Sequence, residues 1–336
     1  MPMSSTTSRP DAQAPSRSRL VAGGLVLPAL LAVAVVVSLL VGATALTSGD
    51  LGALLSARGD RTVAGTLIGA AVAMSGAAMQ GITRNPLADP GILGINAGAS
   101  LLVVAGITWF GINSLLGYIA FALVGAALAA VAVTALATAA SRGFGGSGNS
   151  PLSMALAGMV FTAGATSVGS ALLIADGKSL DVYRFWQVGS VAGREIGDIV
   201  PVLPLLALGF GVLLVAGRRL DILAMGDSVA RGLGEKPEKL RFVIGGAAVA
   251  LAAGAVAVAG PIGFVGLVAP HLLRPLIGTS YRVLLPASAF VGASLVLLAD
   301  TLGRVVSPPG EVQVGIMTAV LGCPALLWVV ARMRSL

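Results

Sequence analysis

The residues of this chain that could perform specific work are concentrated in one polar segment, residues 83–100, which reads TRNPLADPGILGINAGAS. It places Arg84, Asn85 and Asp89 beside two prolines, with long stretches of glycine, alanine and aliphatic residues on both sides. An ordinary turn between two helices is one interpretation. A gate or docking surface of a transporter is the other, because irregular backbone at membrane depth persists only where protein or a water-filled path covers it.

Residues suited to catalysis or metal binding are scarce in this sequence. It has one histidine, His271, and one cysteine, Cys323, and shows no nucleophile–base pair or metal-ligand cluster. Gly177-Lys178-Ser179 resembles the end of the phosphate-binding loop of ATPases, but Leu172 stands where the first glycine belongs. We therefore predict that the chain is not an enzyme, binds no metal or cofactor, and does not hydrolyse ATP itself.

The composition determines which elements position the polar segment. Hydrophobic residues make up 56% and charged residues 10% of the 336 residues, whereas a soluble domain carries about 25% charged residues. We therefore predict an all-α polytopic membrane protein. Residues 1–19 are predicted to form a disordered cytoplasmic tail and residues 20–336 a transmembrane domain; a signal peptide cleaved after residues 20–43 is the alternative.

Ten segments are apolar enough to be membrane-spanning helices. One of them, residues 262–273, is short, follows Pro261 and contains Pro270, so we interpret it as a short or broken span. A re-entrant segment, with nine crossings in total, is the alternative. The other nine spans are residues 20–43, 62–82, 92–110, 115–140, 152–175, 196–216, 242–260, 283–302 and 314–331.

The basic residues are distributed asymmetrically among the loops. With ten crossings and both termini in the cytoplasm, 15 of the 21 Lys and Arg residues lie on the inner side, as the positive-inside rule requires. This distribution explains the net charge of +7 without nucleic acid as a partner. It predicts a multi-pass protein of a cytoplasmic membrane.

The pattern GAAVA occurs twice, at residues 69–73 and 246–250, and each copy precedes a loop rich in proline and glycine. In the ten-span topology, the two copies lie in helices that cross in opposite directions. This is weak support for an inverted repeat, a common architecture of transporters.

The longest inner loop, residues 218–241, reads RRLDILAMGDSVARGLGEKPEKLR. Asp227 or Ser228 is suited to cap a short helix there, and Gly234 is suited to end it. Apolar residues such as Leu233 in a loop that faces water favour a protein partner. A helix that lies on the lipid headgroups is the alternative.

Three arginines, Arg58, Arg61 and Arg304, lie in outer loops against the positive-inside trend. Because guanidinium groups bind carboxylates in bidentate geometry, these residues could receive acidic side chains of an external partner. Local pairing with Asp60 or Asp300 is the alternative.

Longer motifs resemble a known family. The segment GAAVAMSGAAMQGITRNPLADPGILGINAGAS is similar to FecCD-type permeases of type II ABC importers, which serve ferric siderophores, haem and cobalamin. Further matches in family order are ALAGMVF (155–161), FWQVGS (185–190), GPIGFVGLVAPHLLR (260–274) and LLADTLGR (297–304). The resemblance covers the chain from about Arg58 to the C-terminus.

This resemblance implies ten helices per subunit, two permease subunits, two cytoplasmic ATPase subunits that bind ATP and magnesium, and an external solute-binding protein. The implied cytoplasmic gate residues are Asn85, Pro86, Leu87, Asn149 and Ser150. The implied residues for coupling to the ATPases are Gly226, Asp227, Ala230, Arg231, Leu233 and Gly234. The implied residues for docking of the binding protein are Arg58, Arg61 and Arg304, although Gly59-Asp60 departs from the usual spacing after Arg58.

The resemblance implies a permease for an iron chelate, with a ferric siderophore first and cobalamin or haem as alternatives. A homodimer and a heterodimer with a second permease are both open. From the residues alone, an ion-coupled secondary transporter and a passive channel are rival classes. We expect neither, because the sequence shows no carboxylate near the middle of a predicted span.

Overall fold

The structure, a computed structural model, describes residues 17–42, 51–143, 151–175, 180, 183–184, 186–308 and 310–334. Within these ranges, all regular secondary structure is helical. The long helices are α1 (Arg17–Leu40), α2 (Leu51–Thr83), α3 (Ile95–Phe110), α4 (Leu115–Gly143), α5 (Pro151–Ala175), α6 (Leu203–Ala224), α7 (Pro237–Ala259), α8 (Val265–Ile277), α9 (Tyr281–Val306) and α10 (Val314–Arg334). Shorter helical segments are Pro90–Leu93, Ile196–Ile199, Val200–Val202 and Asp227–Gly232.

Each of the ten predicted spans coincides with one of these helices, so the predicted all-helical fold is confirmed. In the described part of the chain, six helical segments are long and apolar enough to cross a membrane, and parts of α1, α3, α8 and α10 form four shorter apolar helices. Helix α1 begins at Arg17, inside the segment predicted as a tail, and residues 1–16 of that tail lie outside the described residues.

Helix α2 lies at the centre of the bundle, and every residue from 71 to 80 is buried. Gly69 packs directly on Gly292 of α9, and Gly76 packs on Gly266 of α8; a Cβ atom at Gly69, Gly76 or Gly292 would collide with the facing helix. Without side chains at these positions, the helix backbones come into contact, which is how helices associate in lipid.

Side-chain contacts identify the two ends of the bundle. Arg84, directly after α2, donates a hydrogen bond to the Leu223 carbonyl in the last turn of α6 (3.2 Å). Asp221 of α6 accepts a hydrogen bond from the backbone N–H of Tyr281, the first residue of α9 (2.5 Å). We call this end, which includes the helix Asp227–Gly232, the loop end. The opposite end, called the arginine end, carries Arg58, Arg61 and Arg304.

A short helix is present where the short span was predicted, and its crossing of the membrane stays a prediction. Helix α8 has 13 residues and contains Pro270 and Pro275. It follows a non-helical segment, residues 260–264, in which Phe264 has a positive φ of 67°. Because proline disfavours helical geometry in the residue before it, Pro261 explains why the chain does not continue the helix of α7 here.

The non-helical segment begins close to the first turn of α10. Ser190 donates a backbone hydrogen bond to the Ala259 carbonyl (2.7 Å), and Gly189 accepts one from Gly315 (3.0 Å). These contacts also satisfy backbone groups that lie outside the hydrogen-bond pattern of the helices. Residues 260–264 and α8 together return the chain to the loop end, which favours ten crossings over nine.

The two helices that carry GAAVA pack against each other in opposite directions. Ser75 in α2 donates its hydroxyl to the Ala248 carbonyl of α7 (2.7 Å). Further along α2, Ile82 lies beside Gly245, which is earlier in α7. The orientation that the inverted repeat requires is present, and the repeat itself stays a prediction.

Candidate coupling, gating and docking sites

The connection between α6 and α7 contains the short helix Asp227–Gly232. Gly226, with a φ of 124°, is its N-cap residue, and Gly234, with a φ of 80°, follows its end. Gly234 thus ends the helix as predicted. The prediction that Asp227 or Ser228 caps the helix is wrong: no side chain caps it, and the Asp227 carboxylate binds two arginines instead.

The apolar side chains of this connection and of the last turns of α6 form a buried set and an exposed set. The buried residues are Leu220, Leu223 and Ala230, each 0% exposed. The exposed residues are Met225, Val229 and Leu233, at 69%, 41% and 62%. Ala230 therefore packs inward and does not present its side chain to a partner, whereas Leu233 does. Arg231 is also exposed and pairs with Glu238 (2.8 Å).

Asp227 joins three elements at the loop end. Its carboxylate accepts hydrogen bonds from Nη2 and Nη1 of Arg241 in α7 (2.6 and 2.9 Å) and a further one from Arg84. Arg84 in turn binds the end of α6 through the Leu223 carbonyl. The hydrogen bond from Arg241, with a contribution from Arg84, lowers the pKa of Asp227 to about 2.

We predict that Asp227 stabilises the fold equally across neutral pH. Because its folded-state pKa is lowered to about 2, the contribution is complete above the ordinary carboxyl pKa of about 4 and is lost as the pH falls toward about 2. The measurement is the difference in melting temperature between wild type and Asp227→Asn from about pH 8 to about pH 3. A difference that already disappears at about pH 6 would contradict the two-arginine contact.

The predicted gate residues Asn85, Pro86 and Leu87 form a tight turn directly after α2. The Asn85 side chain accepts a hydrogen bond from the N–H of Leu87, and its carbonyl accepts one from Ala88 (both 3.0 Å). Arg84, before the turn, has a φ of 49°, which is uncommon for a residue other than glycine. The turn leaves the Leu87 side chain 49% exposed.

A cavity of about 600 Å³ opens beside this turn at the loop end. Its walls come from the ends of α2, α6 and α8 and include Gln80, Arg84, Asp221 and Arg274. Arg274 donates to the side-chain oxygen of Gln80 (2.6 Å). The cavity therefore separates the predicted gate turn from the α8–α9 connection. The other predicted gate residues, Asn149 and Ser150, lie outside the described residues.

Asp89 is a carboxylate whose position sequence reasoning missed. It accepts a hydrogen bond from the N–H of Gly91 (2.8 Å) and caps the helical turn Pro90–Leu93. Its other oxygen faces Gly266 in the first turn of α8. The Asp-Pro pair is a sequence signal for a cap, but only the tertiary fold brings this carboxylate against α8.

Asp300 of α9 is the shared acceptor at the arginine end. Arg61 donates to both of its oxygens (2.9 and 2.8 Å), and Nε of Arg304 lies 3.3 Å from it. Asp300 and Arg304 are each 2% exposed. Arg61 also pairs with Glu311 (2.8 Å). The local pairing with Asp300 is therefore present in the folded chain.

The other two arginines of this end pack against α1. Arg304 donates to the carbonyl and the hydroxyl of Ser38 (both 3.1 Å). Arg58, 6% exposed, donates to two carbonyls in the last turn of α1 (3.0 and 3.2 Å). Docking of an external protein at Arg58, Arg61 and Arg304 stays a prediction; in the folded chain, all three arginines already bind internal acceptors.

The long apolar helices of the fold are those of a multi-pass membrane protein. The sequence model of the FecCD transport family matches residues 24–332. The chain therefore belongs to this family, and the predicted resemblance is confirmed.

Relatives of this chain are permeases. The ferric enterobactin transport system permease protein FepD of Escherichia coli (strain K12) is 38% identical over 317 residues, which cover 90% of this chain and 93% of FepD. The Fe(3+)-citrate import system permease protein YfmD of Bacillus subtilis (strain 168) is 39% identical over 276 residues, 82% and 80% of the two chains. The hemin transport system permease protein HmuU of Yersinia pestis is 39% identical over 290 residues, 84% of each chain.

A solved structure has the same fold. It is described as an inward-facing conformation of a metal-chelate type ABC transporter, and its chain matches this one with a TM-score of 0.81 at 29% identity, covering 94% of this chain and 99% of the other. The predicted permease fold is therefore confirmed.

Proposed function

We propose that this chain is the transmembrane permease subunit of an ATP-driven importer that carries a ferric siderophore across the cytoplasmic membrane of a bacterium. The observation that carries this proposal is the family match over residues 24–332. Relatives named for ferric enterobactin and Fe(3+)-citrate and a metal-chelate type structural neighbour support the substrate class.

The energy source is a pair of separate ATPase subunits that bind ATP and magnesium. Support comes from the sequence, which lacks a phosphate-binding loop, and from the exposed apolar residues of the α6–α7 connection, which suit a protein partner. A second permease subunit completes the path, and a solute-binding protein delivers the chelate from outside. This chain itself binds no cofactor in the proposal.

The loop end faces the cytoplasm, with both termini on the same side. This orientation follows the positive-inside rule, since the loop end carries most of the basic residues in or next to the connections between helices, including Arg84, Arg241 and Arg274. The arginine end then faces outward, where the binding protein docks.

Transport proceeds by alternating access. Closure of the ATPases moves the α6–α7 connection through Leu233 and its exposed neighbours. The motion reaches the gate at residues 85–87, next to the cavity at the loop end. Weak substrate binding inside the path is sufficient, because the external protein captures the scarce ligand.

The substrate is tested with the binding protein that co-purifies with the complex. We expect it to bind ferric enterobactin, ferric citrate or a ferric hydroxamate, each added as a purified chelate, more tightly than haem or cobalamin. Tighter binding of haem would transfer the proposal to the haem branch, for which HmuU is a relative. Tighter binding of cobalamin would identify the chain as a cobalamin permease subunit.

The rival class, an ion-coupled transporter, makes a different prediction at Asp89. We expect Asp89→Asn to retain ATP-dependent uptake in the assembled complex, because the asparagine oxygen still caps the turn at Gly91. Asp89→Ala is expected to lower the melting temperature, since loss of a cap costs about 1 kcal/mol. Complete loss of uptake in a folded Asp89→Asn variant would instead indicate that a proton or ion binds there.

A further inference from the structure

Arg84 connects the gate turn to the short helix of the α6–α7 connection. Its backbone precedes Asn85 directly, and its guanidinium binds the carboxylate of Asp227, the first residue of the helix Asp227–Gly232. Its Nε also donates to the Leu223 carbonyl (3.2 Å). One side chain therefore joins the end of α2 to the last turn of α6 and to the short helix.

The two arginines on Asp227 differ in what they connect. Arg241 binds through two hydrogen bonds of 2.6 and 2.9 Å and belongs to α7, 14 residues further along the chain. Arg84 is 143 residues away in sequence. If the short helix and α7 shift together, the contact between Asp227 and Arg241 is preserved. The contact between Asp227 and Arg84 must then either break or move Arg84.

The backbone of Arg84 has an unfavourable conformation. Its φ of 49° lies in the left-handed region, which costs free energy for a residue with a Cβ atom and persists where surrounding contacts enforce it. Release of the guanidinium removes that constraint at the residue from which the gate turn starts.

We infer that Arg84 is the positioning residue that transmits movement of the helix Asp227–Gly232 to the gate turn at residues 85–87. The inference rests on the proposed function and deepens it. The ATPases displace the short helix, and Asp227 moves Arg84 with it. The gate turn then moves, and the solvent exposure of the Leu87 side chain changes.

The test uses the complete complex, with its co-purified ATPases, in lipid nanodiscs. Leu87→Cys in a Cys323→Ser background reports the gate turn through its labelling rate with a hydrophilic maleimide, before and after trapping with ATP and vanadate. Without further changes, we expect trapping to alter the rate by about threefold or more. Arg84→Gln is expected to abolish this response while ATP hydrolysis continues.

Two further variants control for trivial causes. Glu238→Gln removes a surface ion pair of the same connection, to Arg231 (2.8 Å), that does not involve α2, and it should keep the response. Arg84→Gly removes the side chain at a φ that glycine adopts readily, so it should lose the response without backbone strain.

An unchanged response in Arg84→Gln and Arg84→Gly would overturn the inference, as would equal loss in Glu238→Gln. A parent complex that hydrolyses ATP without any change in the labelling rate of the Leu87→Cys thiol would also overturn it. Failure of the proposed function would give a different result: no ATPase co-purifies with the chain, or the complex hydrolyses no ATP.

Discussion

Replacement of Leu233 by aspartate is expected to weaken binding of the ATPase subunits by about tenfold to a hundredfold. The Leu233 side chain is 62% exposed in the isolated chain, and burial of a leucine at an interface contributes about 1.5–3 kcal/mol. Each 1.4 kcal/mol or so corresponds to about a factor of ten in affinity. The measurement is the dissociation constant of the ATPase for the permease in nanodiscs, with uptake as the second readout.

The matched control for this variant is Ser228→Asp, which adds the same charge to the same short helix. It should change the dissociation constant by about twofold at most, because it removes no apolar contact. Ala230 is unsuitable for this test because it is fully buried. If Leu233→Asp leaves ATPase binding intact, the exposed residues contact lipid headgroups and the coupling assignment is wrong.

Removal of the Asp300 carboxylate is expected to be the most destabilising single change at the arginine end. Asp300→Ala leaves Arg304, 2% exposed, and Arg61 without their shared acceptor. Breaking one side of a buried ion pair costs about 3–5 kcal/mol, because the remaining charge is uncompensated. The measurement is the free energy of unfolding in mixed micelles titrated with sodium dodecyl sulfate.

Glu311→Gln is the control. Glu311 is the more exposed of the two acceptors of Arg61, and the Glu311 side chain is 33% exposed. Pairs of this kind contribute about 0–1 kcal/mol. Equal destabilisation by the two variants would show that Asp300 is not the buried centre of this cluster. A stable Asp300→Ala variant that no longer associates with the binding protein would instead assign the cluster to docking.

The helices were predictable because lipid requires long apolar segments with internally paired backbone. Apolar length locates nine of the ten. The tenth, α8, is too short for this criterion, and Pro261 and Pro270 are the sequence features that mark it as a separate short segment. The end of the short helix near Gly234 was equally predictable, because a glycine after a helix is a local sequence signal for its end.

The side-chain partners were not predictable, because they depend on contacts between residues far apart in sequence. Arg61 and Asp300 are separated by 239 positions, and Arg84 and Asp227 by 143. The sequence indicates that Asp227 lies at a helix start, where capping is the local choice. Two arginines from distant parts of the chain bind the same carboxylate instead, and ion pairs of this kind are strong hydrogen bonds that the local sequence does not reveal.

The burial of Ala230 has a similar cause. A six-residue helix offers no clear periodicity, so the sequence cannot indicate which of Ala230 and Leu233 faces the bundle. The folded chain places the small residue inward and leaves the larger one exposed.

Reconstitution into sealed liposomes tests the central claim most directly. The chain alone is compared with the complete complex containing ATPases and binding protein, with radiolabelled ferric enterobactin, ferric citrate and a ferric hydroxamate as probes. We predict uphill accumulation of one of these chelates only in the complete complex and only with ATP. Accumulation by the chain alone, driven by an ion gradient, would contradict the account.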